Sequence, residues 1–213
     1  MKSAISNQSF LREHLRDGDM LAISPQDKEA QVTLKSLNSF LKNQNKGENI
    51  VDKRRDKNNY YLDIAETVAK RCTCLRRHYG VVIVKNDEII STGYVGAPRG
   101  RKNCTDMGVC VREKNNIPRG ERYELCRSVH AEANAIISAP RDKMLGSSLY
   151  MVGTDITGEN YVENANSCSM CKRLIINAGI EKVYIRDTKD EFRIISVSDW
   201  IENDESLDCQ LGY

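Results

Sequence analysis

The sequence predicts an α/β protein, helices layered on a mixed β-sheet, and three observations predict it. Tyr61, Ile64, Ala65, Val68 and Ala69 recur at helical spacing. Two β-branched runs, Gly80 to Lys85 and Glu88 to Tyr94, are separated only by Asn86-Asp87, a turn pair that closes a hairpin. From residue 128 onward helical and strand patterns alternate. The order helix-strand-strand-helix-strand-helix-strand makes an α/β sandwich around a mixed sheet.

Taken in order, residues 1–58 are polar and uneven and read as an N-terminal extension and linker of unreadable function. Within them Val32, Leu34, Leu37, Phe40 and Leu41 place one amphipathic helix at roughly Lys28 to Asn43. Asn43 to Asn59 has linker composition, and its Lys53-Arg54-Arg55 cluster reads as solvated surface. The expected main domain spans 59–190. It opens with a helix from about Tyr60 to Cys72, followed by the hairpin. Ala97 to Arg127 is long, rich in Gly and Pro and without periodicity, so it needs its own reason to be ordered. A helix near Ser128, a strand at Ser148 to Val152, a helix opened by Cys168 and ended by Gly179, and a strand at Lys182 to Ile185 complete the unit. Residues 191–213 are expected as a tail packing on it, with a strand-like Phe192 to Val197 and a short helix capped by Ser198.

Composition excludes several classes. Of 213 residues, 40% are apolar and 29% charged, and the net charge of +2 advertises no polyanionic partner. No apolar run approaches the ~18 residues that span a bilayer, and Met1 to Met20 carries charges where a secretory signal needs an apolar core. A cytoplasmic protein is expected. Its eight cysteines are then thiols, serving as metal ligands or small apolar residues.

Chemistry concentrates in Cys126-Arg127-Ser128-Val129-His130-Ala131-Glu132 and in Cys168-x-x-Cys171. One imidazole and two thiolates offer three ligands to zinc and leave the fourth tetrahedral position open for water. Residues i and i+2 of a helix point about 200° apart, so His130 and Glu132 can serve one site only across a helix start. Ser128 is the expected N-cap, with Ala133, Ile136 and Ile137 as the apolar face and Glu132 in the first turn, where the helix dipole favours its charge. Cys168 and Cys171 also open a helix, which lowers thiol pKa values. Taken singly, His130 is as well explained as a packed histidine, and Cys168 and Cys171 as small apolar residues or a redox pair. His14 and His78 have no partner pattern, and Cys72 and Cys209 read as packing residues. Cys74, Cys104, Cys110 and Cys126 flank or lie within the irregular segment. Four thiolates suffice for a closed structural zinc site that would order it; the alternative is four buried thiols.

His-x-Glu followed by Cys-x-x-Cys is the pattern of zinc deaminases. The chain resembles the cytidine and deoxycytidylate deaminase superfamily, most closely its deoxycytidylate (dCMP) branch, over roughly residues 60–186. The resemblance rests on Cys74-Leu75-Arg76-Arg77, Gly80 to Lys85, Ile89 to Tyr94 and Gly96-Ala97-Pro98-Arg99-Gly100. It continues through Ile117 to Arg122, Cys126 to Glu132 and Leu174 to Ile180. It departs at Val95, where the family has a substrate-holding Asn, at Ser167, where it has Pro, and in a longer, more polar segment from Gly153 to Ser167.

The resemblance implies a three-layer α-β-α cytidine-deaminase-like sandwich, a zinc cofactor on His130, Cys168 and Cys171, and Glu132 as the proton carrier. It also implies a second, structural zinc near the other cysteines in some members, a nucleotide substrate and a homo-oligomer. The expected reaction is dCMP to dUMP plus ammonia. Phosphate candidates are Arg99, Arg101, Lys102 and Arg141, since arginine grips phosphate in bidentate fashion; the Ala131 backbone is expected against the base. Two rival readings stand beside this one: a deaminase of another base or of nucleic acid (tRNA or single-stranded DNA), and a non-catalytic zinc-stabilised nucleotide-binding module.

Overall fold

The structure, a computed structural model, describes residues 54–118 and 120–208. The expected helix at Lys28 to Asn43, His14, Lys53 and Cys209 lie outside them. A compact unit begins at Arg55. Its first helix, α1 (Lys57–Ala69), starts three residues earlier than expected because Asp56 caps it, accepting a hydrogen bond from the Asn59 amide at 3.0 Å. Strands β1 (His78–Lys85) and β2 (Glu88–Tyr94) form the expected hairpin, with Asn86 and Asp87 both at positive φ.

The irregular segment is shaped by two one-turn helices, α2 (Cys104–Met107) and α3 (Val111–Lys114), and a 3-10 turn at Tyr123–Leu125. Then follow α4 (Ala131–Ile137), α5 (Arg141–Met144), β3 (Ser148–Thr154), α6 (Ser169–Ala178), β4 (Lys182–Arg186), β5 (Phe192–Ser196), α7 (Val197–Asn203) and a 3-10 turn at Glu205–Leu207. Helix α6 ends on Gly179, whose φ of 77° suits a residue without Cβ.

The five strands lie in the order β2-β1-β3-β4-β5. Only β3 and β4 run parallel, so the sheet is mixed, as the sequence predicts. β5 is a full member of it, which ties the C-terminal residues into the unit. Alternation along the strands separates two cores. Val82, Val84, Tyr150 and Val152 face α1 through Tyr61, Leu62 and Ala65. Val81, Ile83, Leu149, Met151, Val183 and Ile185 face Ala131 and Ala135 of α4, Ile175 and Ala178 of α6, and Trp200 of α7. Helices on both faces explain why β1 and β3 read as unbroken apolar runs. Each fully buried aliphatic side chain contributes roughly 1.5–3 kcal/mol.

The α4 side positions the site. A Cβ on Gly93 would stand 2.2 Å from the Ala131 carbonyl oxygen, so glycine lets β2 and α4 touch. Ser91 donates to the Ala135 carbonyl at 2.8 Å, the Asn134 amide to the Tyr94 carbonyl at 2.8 Å, and Gly96 and Val129 form an isolated bridge. The start of α4 is thereby pinned to the sheet.

Candidate metal centre and active site

Two helix starts converge. His130, with extended φ and ψ, occupies the N-cap position of α4, and Cys168 that of α6. The expected cap is corrected by two residues: Ser128 precedes the helix and its hydroxyl lies 3.7 Å from the Cys104 sulfur. His130 Nδ1 lies 3.4 Å from both Cys168 Sγ and Cys171 Sγ. Among the described residues, these are the only three metal-ligating side chains whose donor atoms all lie within 4.8 Å of one another. Ligands at ~2.05 Å (N) and ~2.3 Å (S) around a tetrahedral ion would place N and S about 3.6 Å apart, so the donor set fits zinc.

The electrostatics agree. Hydrogen bonding from Cys171, and then from His130, holds the Cys168 thiol down to about 4, while the Cys168 thiolate beside it, together with burial, pushes Cys171 up. Burial alone would lower His130, but Cys168 and Glu132 outweigh it and raise the imidazole. These are donors that a divalent cation binds in their deprotonated forms, releasing protons as it does so. Tyr123 stacks edge-on against the His130 ring, centroids 4.9 Å apart, and Arg112 covers Tyr123 at 4.6 Å.

Glu132 is 5% exposed and does not join the three ligands. Burial raises its carboxyl above the usual range, opposed by His130. Ser167, at the position before Cys168, is 3% exposed, and its hydroxyl finds no hydrogen-bond partner of good geometry.

A cavity of about 370 Å³ opens onto this cluster, and among the described residues Glu132 is the only carboxylate in its lining. Val95 forms an apolar stretch of wall. The long segment after β3 reaches the cavity through Asn164, at positive φ, and Asn166. That segment is ordered by the Asp155 carboxylate, which accepts from the Thr157 hydroxyl, the Asn160 amide and the Gly158 backbone and is held well below the usual range by these bonds.

The structure does not bring every expected residue to the cavity. Arg99 is exposed, Arg141 is exposed with its Nε donating to the Asn177 carbonyl at 2.8 Å, and Ala131 is fully buried; none lines it. Its cations are Arg76, Arg77, Arg112 and Arg127. Cys74, Cys104, Cys110 and Cys126 all line it, but no three of them bring their sulfurs within 4.8 Å. Arg112, Tyr123, Asn164, Asn166 and Ser206 had no spacing signal to betray them; only folding assembles them.

A buried carboxyl beside an imidazole and two thiols at paired helix starts has the donors and the geometry of a zinc site. The family described as the cytidine and deoxycytidylate deaminase zinc-binding region matches residues 55–186, and the chain belongs to it. It is 36% identical over 135 residues to the deoxycytidylate deaminase of Mycobacterium phage D29, covering 61% of this chain and 94% of that one. It is 32% identical over 124 residues to the deoxycytidylate deaminase of Schizosaccharomyces pombe, covering 58% of this chain but only 35% of the relative, so it spans about a third of that protein's length. Among solved structures, dCMP deaminase from the cyanophage S-TIM5 in apo form is 25% identical with a TM-score of 0.43, over 62% of this chain and 84% of that one. Among the described residues, no helix is long and apolar enough to cross a membrane.

Proposed function

We propose that this chain hydrolytically deaminates a cytosine nucleotide, dCMP to dUMP plus ammonia. The observation that carries the reading is Glu132, a buried carboxyl one residue removed from His130 in sequence, outside the ligand set and inside the cavity. The relatives named deoxycytidylate deaminase support the choice of substrate. His130, Cys168 and Cys171 would hold zinc, which would act as a Lewis acid and bring the pKa of water down to about 7.

The chain's own residues do the rest. Glu132, with its proton affinity raised by burial, accepts a proton from the attacking water at a carboxylate oxygen. It delivers that proton to the ring nitrogen, then takes the proton of the hydroxyl added to the ring carbon and passes it to the amine, which leaves as ammonia while the carbonyl forms. Tyr123 fixes the plane of the imidazole. Val95 closes the cavity with an apolar surface, and Asn164 and Asn166 offer amides. Arg77 lines the cavity and makes no hydrogen bond or ion pair among the described residues, which suits it to an anionic substituent such as a 5′-phosphate. Arg99, after β2, and Arg141, at the start of α5 with its Nε on the Asn177 carbonyl, are further candidates outside the cavity lining. A structural zinc on Cys74, Cys104, Cys110 and Cys126 belongs to the same reading and requires those sulfurs to close up. Deamination of nucleic acid is the rival, favoured by the extended segment after β3, and a cavity whose one carboxylate is Glu132 speaks against a purely binding role.

Ammonia release from dCMP, CMP, deoxycytidine, purine nucleotides and a single-stranded oligonucleotide tests the reading. Turnover of dCMP is expected; turnover of the oligonucleotide alone would replace it.

A further inference from the structure

Lys172 follows Cys171 directly and is only 8% exposed, though it belongs to a residue type that avoids burial. Its ammonium makes an ion pair with Asp204, the two side chains being 10% and 14% exposed. It also reaches the Ser206 hydroxyl at 3.4 Å and sits 5.4 Å above the Trp200 ring. Asp204 in turn gathers the last turn of the described chain, accepting from the Ser206 amide at 3.0 Å and the Ser206 hydroxyl at 2.5 Å. Leu207 packs on the α4-side core, and Ser206 lines the cavity that holds His130, Glu132 and Cys168.

The turn at 204–207 holds little of its own. Its backbone contributes Leu207 N to Asp204 O at 2.9 Å and Asp208 N to Glu205 O at 3.1 Å. Three residues in a 3-10 turn do not fix a wall by themselves. An apolar residue at 172 would pack α6 against α7 at lower desolvation cost than a lysine. What the lysine adds is a tether between the helix that presents Cys171 and the turn that presents Ser206.

We propose that Lys172 and Asp204 are positioning residues: their ion pair fixes the 204–207 turn as one wall of the reaction cavity, and Ser206 on that wall sets how the nucleotide is held. This rests on the reading that the nucleotide binds in this cavity. The ion pair leaves the proton chemistry untouched, because Glu132 is delivered by α4 and the tether acts from α6. Its loss therefore weakens substrate binding rather than the chemical step.

The test compares wild type with Lys172→Met, Asp204→Asn, Ser206→Ala and the conservative Asp204→Glu, each zinc-loaded. The expected result for Lys172→Met and Asp204→Asn is a KM for dCMP raised about tenfold with kcat within about twofold, the pattern of lost uniform binding. Zinc content stays at the wild-type value, Ser206→Ala moves KM in the same direction by less, and Asp204→Glu recovers part of the loss. An unchanged KM overturns the proposal. So does a parallel fall of kcat and zinc content, which would make the pair a mere support of α6.

Trp200, the chain's single tryptophan, supplies a second readout beside the tether. Titration with dUMP should change its emission in wild type and require about tenfold more dUMP in Asp204→Asn. If wild type turns over none of the nucleotides offered, the proposed reaction fails alone: an emission response that weakens in the variant upholds the wall, and no response to any nucleotide overturns it as well.

Discussion

Arg186 on the α1 face and Glu132 on the α4 face are both nearly excluded from solvent, at 1% and 5% exposure, yet they are surrounded in different ways. The Arg186 guanidinium donates to Asp63 at 2.7 Å, to Glu66 at 3.1 Å, and to the backbone and side-chain oxygens of Asn59 at 3.1 and 3.0 Å; only its Nε lacks a partner. Tyr161 completes that network by donating to Glu66 at 2.9 Å, and Tyr61, Tyr150 and Tyr184 pack ring on ring beside it. There the charges answer one another. On the α4 face a carboxyl, an imidazole and two thiols crowd together, with the Ser167 hydroxyl beside the carboxyl. A fold that satisfies one buried charge so fully does not leave the other cluster ill-matched by accident of packing. Such a mismatch inside a cavity is what the proposed reaction requires.

That contrast can be broken by experiment. The largest effect is expected at Glu132→Gln, which keeps the shape and removes the proton carrier. Turnover should fall by about 10²–10⁴-fold, read by ammonia release, with melting temperature close to wild type. A variant retaining full activity would remove Glu132 from the reaction. Next in size is Arg186→Met, which leaves Asp63 with Arg55 and Glu66 with Tyr161 but takes the buried cation from both and from the Asn59 oxygens. It should lose about 1–3 kcal/mol of stability, seen as a melting temperature lower by about 5 °C, while kcat of the folded protein is unchanged.

A matched pair of glycines sharpens the same contrast. A Cβ on Gly80 would meet the Ala65 carbonyl oxygen of α1 at 2.1 Å, and one on Gly93 the Ala131 carbonyl oxygen of α4 at 2.2 Å. Both alanine variants should lose about 1–3 kcal/mol by overpacking. Only Gly93→Ala shifts the helix that carries Glu132, so it alone should also lose kcat, by as much as ~10²-fold. Equal kcat losses at both positions would erase the distinction between the faces.

The smallest effect concerns pH. Burial alone would raise the Asp204 carboxyl, but Lys172 and Ser206 outweigh it and hold it below its ordinary 3.8. A depressed carboxylate stabilises the fold above its unfolded pKa, and that contribution is lost as pH falls through the folded value. Melting temperature followed from about pH 2 to pH 6 should therefore drop less steeply in Asp204→Asn than in wild type.

Much of this was legible in the sequence, and the reasons are physical. The hairpin was, because Asn86-Asp87 tolerates positive φ between two apolar runs. The mixed sheet followed from element order. His130, Glu132, Cys168 and Cys171 were legible because a helix start forces short spacings on ligands. The start of α4 was misplaced by two residues, since Ser128 has the chemistry of a cap while His130 holds the geometry of one. The cavity walls were not legible at all. Asn164, Asn166 and Ser206 arrive from segments whose local pattern is only polar, and their placement depends on Asp155 and on the Lys172–Asp204 pair, contacts between residues far apart or without periodicity. The arginines expected at the substrate, Arg99 and Arg141, were chosen by nearness in sequence to the motifs, whereas the fold brings Arg77 and Arg112 to the cavity instead.

The central claim is that His130, Cys168 and Cys171 hold zinc while Glu132 stands beside it unligated. Zinc per chain, measured on purified wild type, Cys168→Ser and Glu132→Gln, tests it most directly. One equivalent should disappear from Cys168→Ser and none from Glu132→Gln. Loss of that equivalent from Glu132→Gln, or its survival in Cys168→Ser, would contradict the account.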